Sequence, residues 1–211
     1  MSLQVVQVKP GDVGAKLSLN LKKAEPFKIT LSWDEGSDLD LHALYCVNRG
    51  TGEGAKASAM EDILSTYNVK RTIKGEVTGV LLKGPDGTFS THNGSMVHSK
   101  DAEDGMGDGD DEWVKIYPDK LPSANGGVIE IPLIAMIHPQ GTTRFSSVKN
   151  PKVVVFDMSG NPLLQINLSQ DFGQYCGVHI GSIVITDEGS EFHTVGGGFS
   201  TDFNSVLARF S

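Results

Sequence analysis

The sequence contains little cysteine, and its cysteines lack the spacing that disulfide or zinc scaffolds use. Cys46 and Cys176 are the only cysteines among 211 residues, and 130 positions separate them. Neither belongs to a Cys-x-x-Cys pair, and the six histidines show no zinc-like pairing with them or with one another. The sequence therefore predicts two free thiols that pack as small core residues, without a bridge or a redox role.

Long apolar runs and an excess of basic residues are also absent. The N-terminal residues MSLQVVQVKPGD lack the basic stretch, apolar run and small-residue cleavage site of a secretory signal. No apolar stretch approaches membrane-spanning length. We therefore expect a cytoplasmic protein without direct membrane insertion. The formal net charge of −8 and the isoelectric point near 5.2 argue against nucleic-acid binding.

Common catalytic and nucleotide-binding motifs are missing as well. The sequence has no G-x-S-x-G nucleophile elbow, no Walker loop and no G-x-G-x-x-G between a strand and a helix. No separate basic or nucleophilic group can be assigned to a reaction. These absences predict a protein that is not an enzyme.

What the sequence does contain is a series of short alternating segments separated by turn residues. Hydrophobic residues make up 38% of the chain and glycine occurs 25 times, which is typical of many short strands. Strand-like segments include Arg71–Leu82, Val128–His138, Lys152–Asp157 and Leu163–Leu168. Pro132 indicates a bulge or a sheet edge, and Phe203–Phe210, capped by Asp202, has helical spacing. We predict one all-β domain over residues 1–211, a β-sandwich of two mainly antiparallel sheets with a short C-terminal helix.

The acidic residues are concentrated in one stretch, DAEDGMGDGDDE, at Asp101–Glu112. Seven of its twelve residues are carboxylates and none is basic. Carboxylates roughly 6 Å apart repel by about 1–3 kcal/mol, and hard oxygen donors favour Ca²⁺ or Mg²⁺. The alternating glycines would let Asp108, Asp110 and Glu112 project to one side of an extended chain. The stretch does not fit an EF-hand loop, and the alternative to a metal site is a solvated loop.

A second acidic cluster, WDEGSDLDL, lies at residues 33–41. Asp38 and Asp40 alternate with two leucines, which is the period of a strand with one apolar face. Two aspartates on one face at the start of a strand are poor neighbours without a cation, and Asp34 could add an oxygen from the preceding turn. The alternative is a strand whose polar face meets solvent.

These two clusters resemble the signatures of the TerD family. The segment LSWDEGSDLDL is similar to the GWD…DLD motif of that family, and HSKDAEDGMGDGDDE, from His98 to Glu112, resembles its acidic loop. The two occur in the expected order and are followed by a third similar segment at Phe145–Ser169 and by VGGGF at Val195–Phe199. The resemblance covers most of the chain, from about residue 16 to about residue 210.

The resemblance implies a Ca²⁺-binding β-sandwich of the tellurium-resistance and general stress-response systems, with no established catalytic activity. We expect one or two Ca²⁺ ions. The residues that match the acidic motif positions, and are therefore the implied metal ligands, are Asp34, Asp38, Asp40, Asp101, Asp108, Asp110, Asp111 and Glu112. The chain departs from the family at Ser32, where glycine is usual, and at Met106, where an acidic residue is common. Residues 48–95 also match poorly and are partly inserted.

Taken together, the sequence favours a non-catalytic Ca²⁺-binding module that binds or scaffolds proteins in tellurite resistance or a general stress response. Protein partners of unknown identity are expected. Two alternatives stay open. The poorly matching segment near residues 48–95 motivates a structural component of a larger assembly, such as a phage or envelope complex, that Ca²⁺ stiffens. A metal-dependent hydrolase could use the same carboxylates to hold Mg²⁺ and activate water.

Overall fold

The computed structural model describes residues 3–34, 38–102, 111–138, 144–168 and 170–211. These ranges contain seventeen strands, several single turns of 3₁₀ helix and one short α-helix, α1 (Phe203–Leu207). The strands are β1 (Gln4–Val8), β2 (Lys16–Leu21), β3 (Phe27–Ser32), β4 (Leu39–Leu44), β5 (Cys46–Asn48), β6 (Ala55–Lys56), β7 (Ile63–Leu64), β8 (Arg71–Ile73), β9 (Glu76–Thr78), β10 (Phe89–Thr91), β11 (Met96–His98), β12 (Glu112–Ile116), β13 (Val128–Ile137), β14 (Lys152–Asp157), β15 (Pro162–Leu168), β16 (Gly177–Ile185) and β17 (Ser190–Phe199).

Two sheets contain all of these strands except β8 and β9. The seven-stranded sheet has the order β1-β15-β14-β3-β12-β11-β10. The eight-stranded sheet has the order β2-β17-β16-β13-β4-β7, with β5 paired to β13 and β6 paired to β5. Strands pair in antiparallel fashion, except that β1 runs parallel to β15. The predicted sandwich of two mainly antiparallel sheets is confirmed.

The core lies between the two sheets and is built from alternate residues of the facing strands. In β3, Phe27, Ile29 and Leu31 are fully buried, and Val114 and Ile116 of the neighbouring β12 are buried beside them. Because successive side chains of a strand point to opposite faces, the intervening residues lie on the outside of the sheet. This alternation sets the direction of the two candidate site residues that lie in strands, Asp40 and Glu112.

β4 is buried on both of its faces. Leu39 and Leu41 belong to the main core, whereas Leu44 packs in a smaller apolar cluster on the outer face of the eight-stranded sheet. Phe203 and Val206 of α1 belong to that outer cluster. The short C-terminal helix therefore covers the strand that carries part of the acidic motif.

α1 begins with a side-chain cap. The Oδ1 atom of Asp202 accepts a hydrogen bond from the amide of Ser205 at 2.9 Å, which satisfies one of the free amides of the first turn. The predicted helix and its cap are confirmed, although the α-helix ends at Leu207 instead of Phe210. The described ranges hold no helix with the length and apolar character needed to cross a membrane.

β13 is a central strand, placed between β16 and β4. Pro132 pairs with Ser182 of β16, and the register shifts just beyond it, between Leu133 and Ile134. Proline lacks an amide donor, which an irregularity in the ladder accommodates. Of the two expectations attached to Pro132, the sheet edge is wrong. An irregularity does occur, but one residue further on, and the extra residue there is Ile180 of β16.

Residues 48–95 depart from a simple continuation of the sandwich. The segment Arg71–Leu82, predicted as alternating β-structure, contains β8 and β9, which pair only with each other. Ile73 pairs with Glu76, so Lys74 and Gly75 form a two-residue turn that interrupts the alternation. The hairpin is thus a separate small sheet.

The two cysteines are free thiols, as predicted. Cys46 pairs with Glu130 near the start of β13, whereas the carbonyl of Cys176 accepts a hydrogen bond from the amide of Ile137 at the end of that strand. Seven residues of strand correspond to roughly 23 Å, which is far beyond the reach of a disulfide.

Candidate metal centre

Asp40 is held at the start of β4 by the alternation of that strand. Since Leu39 and Leu41 point into the core, Asp40 points to the opposite face, where its side chain is only 1% exposed. The hydroxyl of Thr66 donates to Oδ1 at 2.8 Å, and the hydroxyl of Tyr67 donates to Oδ2 at 2.5 Å. These two bonds fix the orientation of the buried carboxylate.

Glu112 is the first residue of β12 and is fully buried. It shares a face with Val114 and Ile116, so its side chain enters the end of the space between the sheets. Its Oε2 atom accepts a hydrogen bond from the amide of Leu41 at 2.6 Å, which ties the two sheets together. Among the described residues, Oε1 has no hydrogen-bond partner of ordinary geometry, although the amide of Ala102 is close enough to the carboxyl group to lower its pKa. Because a buried oxygen without a well-placed donor is costly, this atom marks a position that suits a cation.

Asp101 completes the group from the segment that follows β11. It is half-buried, and one carboxylate oxygen from each of Asp40, Asp101 and Glu112 lies within 4.8 Å of the other two. Two oxygens bound to one Ca²⁺ at about 2.3–2.6 Å can lie at most about 5 Å apart. The three side chains therefore fit the coordination sphere of a single ion.

The pKa shifts in the group reflect carboxylates that are poorly solvated and close together. Burial raises the pKa of Glu112 well above its usual range and the charge of Asp40 raises it further, while the Leu41 amide opposes the shift. Burial also raises the pKa of Asp101, and Asp40 adds to that shift while Lys83 opposes it. A cation at this position would favour the ionised form of both groups.

His98, at the end of β11, is fully buried next to the group. Its Nδ1 lies 2.9 Å from the carbonyl oxygen of Ser99, and its Nε2 lies 2.8 Å from the carbonyl oxygen of Leu41. Nε2 is also 3.8 Å from Oε2 of Glu112. Burial is the main cause that lowers the pKa of His98. The ring thus connects the strand that precedes Asp101 to β4.

Of the eight ligands that the sequence predicts, the structure brings together Asp40, Asp101 and Glu112. Asp108 and Asp110 lie outside the described residues. Within the described ranges, the metal-type grouping consists of these three carboxylates. They come from β4, from the segment after β11, and from β12.

The three remaining predicted ligands have other positions. Asp34 is exposed, and its Oδ2 accepts a hydrogen bond from the side-chain amide of Asn150 at 2.5 Å. Asp111 accepts a hydrogen bond from the backbone amide of Trp33 at 3.1 Å. Asp38 is half-buried directly before β4. These three residues are not members of the group of three carboxylates.

Thr66 and Tyr67 are site residues that the sequence analysis did not identify. They lie in a single 3₁₀ turn, within the segment that matches the family poorly, and their hydroxyls bind both oxygens of Asp40. A hydroxyl in so short a turn leaves no periodic pattern in the sequence. Only the packing of this turn against β4 reveals its role.

A comparison with known families identifies the family of this chain. The TerD domain model matches residues 87–210, which is more than half of the chain. The chain belongs to the TerD family. Asp101 and Glu112 fall within the matched range, whereas Asp40 and the β8–β9 hairpin precede it.

Similarity to individual TerD-family proteins extends beyond that range. The tellurium resistance protein TerD of Alcaligenes sp is 29% identical over 207 residues, covering 93% of this chain and 94% of the relative. General stress protein 16U of Bacillus subtilis is 29% identical over 110 residues, covering 51% of this chain and 55% of the relative. The crystal structure of a homologue of telluride resistance protein from Streptomyces coelicolor has a TM-score of 0.59 at 17% identity, covering 89% of this chain and 96% of the other. The fold is therefore shared.

Proposed function

We propose that this TerD-family protein binds Ca²⁺ through Asp40, Asp101 and Glu112. The observation that carries the proposal is the group of three carboxylates within 4.8 Å of one another, two of which are almost completely buried. Three carboxylates without a cation are mutually repulsive in a poorly solvated site. A divalent ion offsets that repulsion.

The chemistry of the donors favours Ca²⁺ over a transition metal. The group offers carboxylate oxygens alone, which suit hard cations. His98, the histidine beside it, has both ring nitrogens at hydrogen-bonding distance from backbone carbonyls. Ca²⁺ takes six to eight oxygens in flexible geometry, so further oxygens would have to come from the surrounding acidic segments or from water.

A structural role of the ion fits the burial of the site. Asp40 and Glu112 are almost completely buried, which leaves little room for a substrate beside an ion held by them. The ion would connect β4 of one sheet to β12 of the other, where Glu112 already bonds the Leu41 amide. We therefore propose a non-catalytic module that uses Ca²⁺ to hold its loops for protein partners.

The names of the relatives suggest the setting of this module. They are a tellurium resistance protein and a general stress protein. We propose that this chain acts as a binding or scaffolding protein in tellurite resistance or in a general stress response. Its acidic loop and the surfaces beside it are the regions whose shape an ion would alter.

Calorimetric titration of chelator-treated protein with Ca²⁺ tests the proposal. We expect one or two sites with dissociation constants between roughly micromolar and millimolar. Replacing Glu112 with Gln removes one charge and keeps the shape, so Glu112→Gln should weaken Ca²⁺ binding by at least roughly tenfold. Glu53→Gln, on an exposed loop, is the matched control and should bind as the wild type does.

Two results would contradict the proposal. One is wild-type protein that releases no heat and shows no thermal shift at millimolar Ca²⁺. The other is equal Ca²⁺ affinity in wild type, Glu112→Gln and Glu53→Gln, because an ion held elsewhere would not respond to the buried carboxylate.

A further inference from the structure

The hairpin of β8 and β9 projects into solvent. All six of its strand residues are exposed, and the two strands pair only with each other. Its turn residues, Lys74 and Gly75, have φ angles of 52° and 87°, which is the left-handed pair that a tight two-residue hairpin requires. An isolated two-stranded hairpin is only marginally stable in water. An exposed hairpin of this kind is therefore a candidate binding surface.

The base of the hairpin is fixed to the body of the protein. The amide of Lys70 donates to the carbonyl of Leu81 at 2.7 Å, and the amide of Val80 donates to the carbonyl of Asn68 at 2.9 Å. Leu81 is buried in the main core. The base of the hairpin is therefore attached to the body of the protein, and its turn lies exposed to solvent.

Apolar side chains lie on both faces of this projection. Ile73 pairs with Glu76 and Val77 pairs with Thr72, so Ile73 and Val77 point to opposite faces. They are 46% and 63% exposed, and Leu82 beside the base is 71% exposed. Single exposed apolar residues are common on protein surfaces, but Ile73 and Val77 together make the end of this projection apolar, and Leu82 adds an apolar side chain at its base.

The same segment is basic in an acidic protein. Residues 70–83 contain four basic residues, namely Lys70, Arg71, Lys74 and Lys83, and one acidic residue. All four basic residues are exposed. None forms a salt bridge among the described residues, although Lys83 is close enough to Asp101 to lower the pKa of that carboxyl. The segment carries +3 in a chain of −8, so the remaining residues carry −11. This separation of charge would orient the molecule toward an anionic surface with the hairpin first.

We propose that the hairpin of residues 70–83 docks onto an anionic lipid bilayer, with Ile73 and Val77 entering the headgroup region and the basic residues contacting lipid phosphates and carboxylates. Basic residues flanking a small apolar tip are suited to the interface between headgroups and acyl chains. The contact is peripheral and involves no spanning segment. It uses none of the carboxylates of the Ca²⁺ proposal.

The two-faced distribution of apolar residues favours a bilayer over a protein surface. A flat protein partner covers one face of a hairpin, whereas lipid headgroups surround a projection on both faces. A second copy of this chain that paired hairpin to hairpin would bring together four basic residues from each copy, and like charges at short range are unfavourable. The bilayer is therefore the occupant that satisfies both the charge and the apolar side chains.

Co-sedimentation with vesicles tests this inference. Vesicles of phosphatidylcholine with phosphatidylserine are compared with vesicles of phosphatidylcholine alone, with EDTA throughout so that Ca²⁺ cannot bridge protein and lipid carboxylates. The wild type should bind the anionic vesicles and dissociate as salt is raised, because salt screens exposed charges. Ile73→Ser combined with Val77→Ser should weaken binding by roughly tenfold or more, and Lys74→Glu by at least roughly fivefold.

Matched controls lie elsewhere on the surface. Val13 is 74% exposed and Lys22 is exposed. Val13→Ser and Lys22→Glu therefore remove an exposed apolar side chain and reverse an exposed positive charge outside the hairpin, and both variants should bind vesicles as the wild type does. The inference is overturned if the wild type does not bind anionic vesicles or binds neutral vesicles equally well. It is also overturned if the double serine variant binds anionic vesicles with the affinity of the wild type. It is also overturned if that variant instead abolishes a concentration-dependent dimer in size-exclusion chromatography.

Discussion

Glu112 is a residue whose environment opposes its own ionisation. Burial and the neighbouring Asp40 raise its pKa, so the folded protein binds a proton at this group more readily than the unfolded chain does. The stabilising effect of that proton is complete below the unfolded pKa and is lost as the pH rises through the folded pKa. At neutral pH without metal, the group therefore destabilises the fold.

This predicts opposite effects of Glu112→Gln with and without an ion. In EDTA at neutral pH, the variant should melt at the same temperature as the wild type or at a higher one, because one buried charge is gone. The side-chain oxygen of the glutamine can still accept the hydrogen bond from the backbone amide of Leu41. In millimolar Ca²⁺, the wild type should gain more thermal stability than the variant. Thermal melts under both conditions measure the difference, and equal Ca²⁺-induced shifts would show that the ion is not held by this carboxylate.

The buried side chain of His179 leads to a separate prediction about the stability of the protein at acidic pH. Burial lowers its pKa to about 4, and the charge of Arg209 also disfavours protonation. As the pH falls below the usual histidine range, the unfolded chain gains a proton that the folded protein does not bind. This difference in proton binding should lower the free energy of unfolding by about 2 kcal/mol between pH 7 and pH 5. Urea unfolding of wild type and His179→Gln across this range should show a shallower loss in the variant, and parallel curves would contradict the assignment.

At the scale of elements, α1 covers the outer face of the eight-stranded sheet over β4, the strand that carries Asp40. Phe203 lies 4.3 Å from the ring of His42 and 5.4 Å from the ring of Tyr67, measured between ring centroids. Tyr67 in turn bonds Asp40. The helix therefore supports the turn that orients a candidate ligand, even though it does not touch the ion position.

Phe203→Ala should test that support. Removing a buried aromatic ring costs about 3–5 kcal/mol, whereas Phe203→Leu keeps most of the volume and should cost less than about 1.5 kcal/mol. Equilibrium unfolding in urea measures both variants. A cost below about 1 kcal/mol for the alanine variant would mean that α1 does not close the sheet.

At the scale of the whole molecule, the fold relies on sheet packing without covalent cross-links. Cys46 is buried in the outer cluster, and burial raises the pKa of its thiol to about 12. Burial also raises the pKa of Cys176, which is half-buried. Both thiols are thus poor nucleophiles in the native state.

Alkylation should therefore proceed in a fixed order. In native protein, iodoacetamide should modify Cys176 slowly and Cys46 more slowly still, and both should react fully in urea without reductant. Mass spectrometry counts the labels. A species that gains labels only after reduction would reveal a disulfide and contradict the free-thiol assignment.

Local patterns in the amino-acid sequence are sufficient to predict the fold class, the family and the two acidic clusters. Alternation of residues such as those of β3 and β12 is local information, because a strand with one buried face must repeat every second residue. The cap of α1 at Asp202 is local in the same way. The motif around Asp38 and Asp40 and the acidic loop were readable because both are contiguous stretches.

Which carboxylates lie close together depends on how the two sheets pack. Asp40 and Glu112 lie 72 positions apart in strands of different sheets, and their grouping with Asp101 depends on how those sheets face each other. The roles of Thr66 and Tyr67 likewise arise from a short turn packed over β4, for which no sequence period exists. The hairpin at residues 70–83 shows the same division. Its alternation was visible in the sequence, but its exposure on both faces follows from the absence of any sheet beside it in the described structure, and burial is a property of the folded whole.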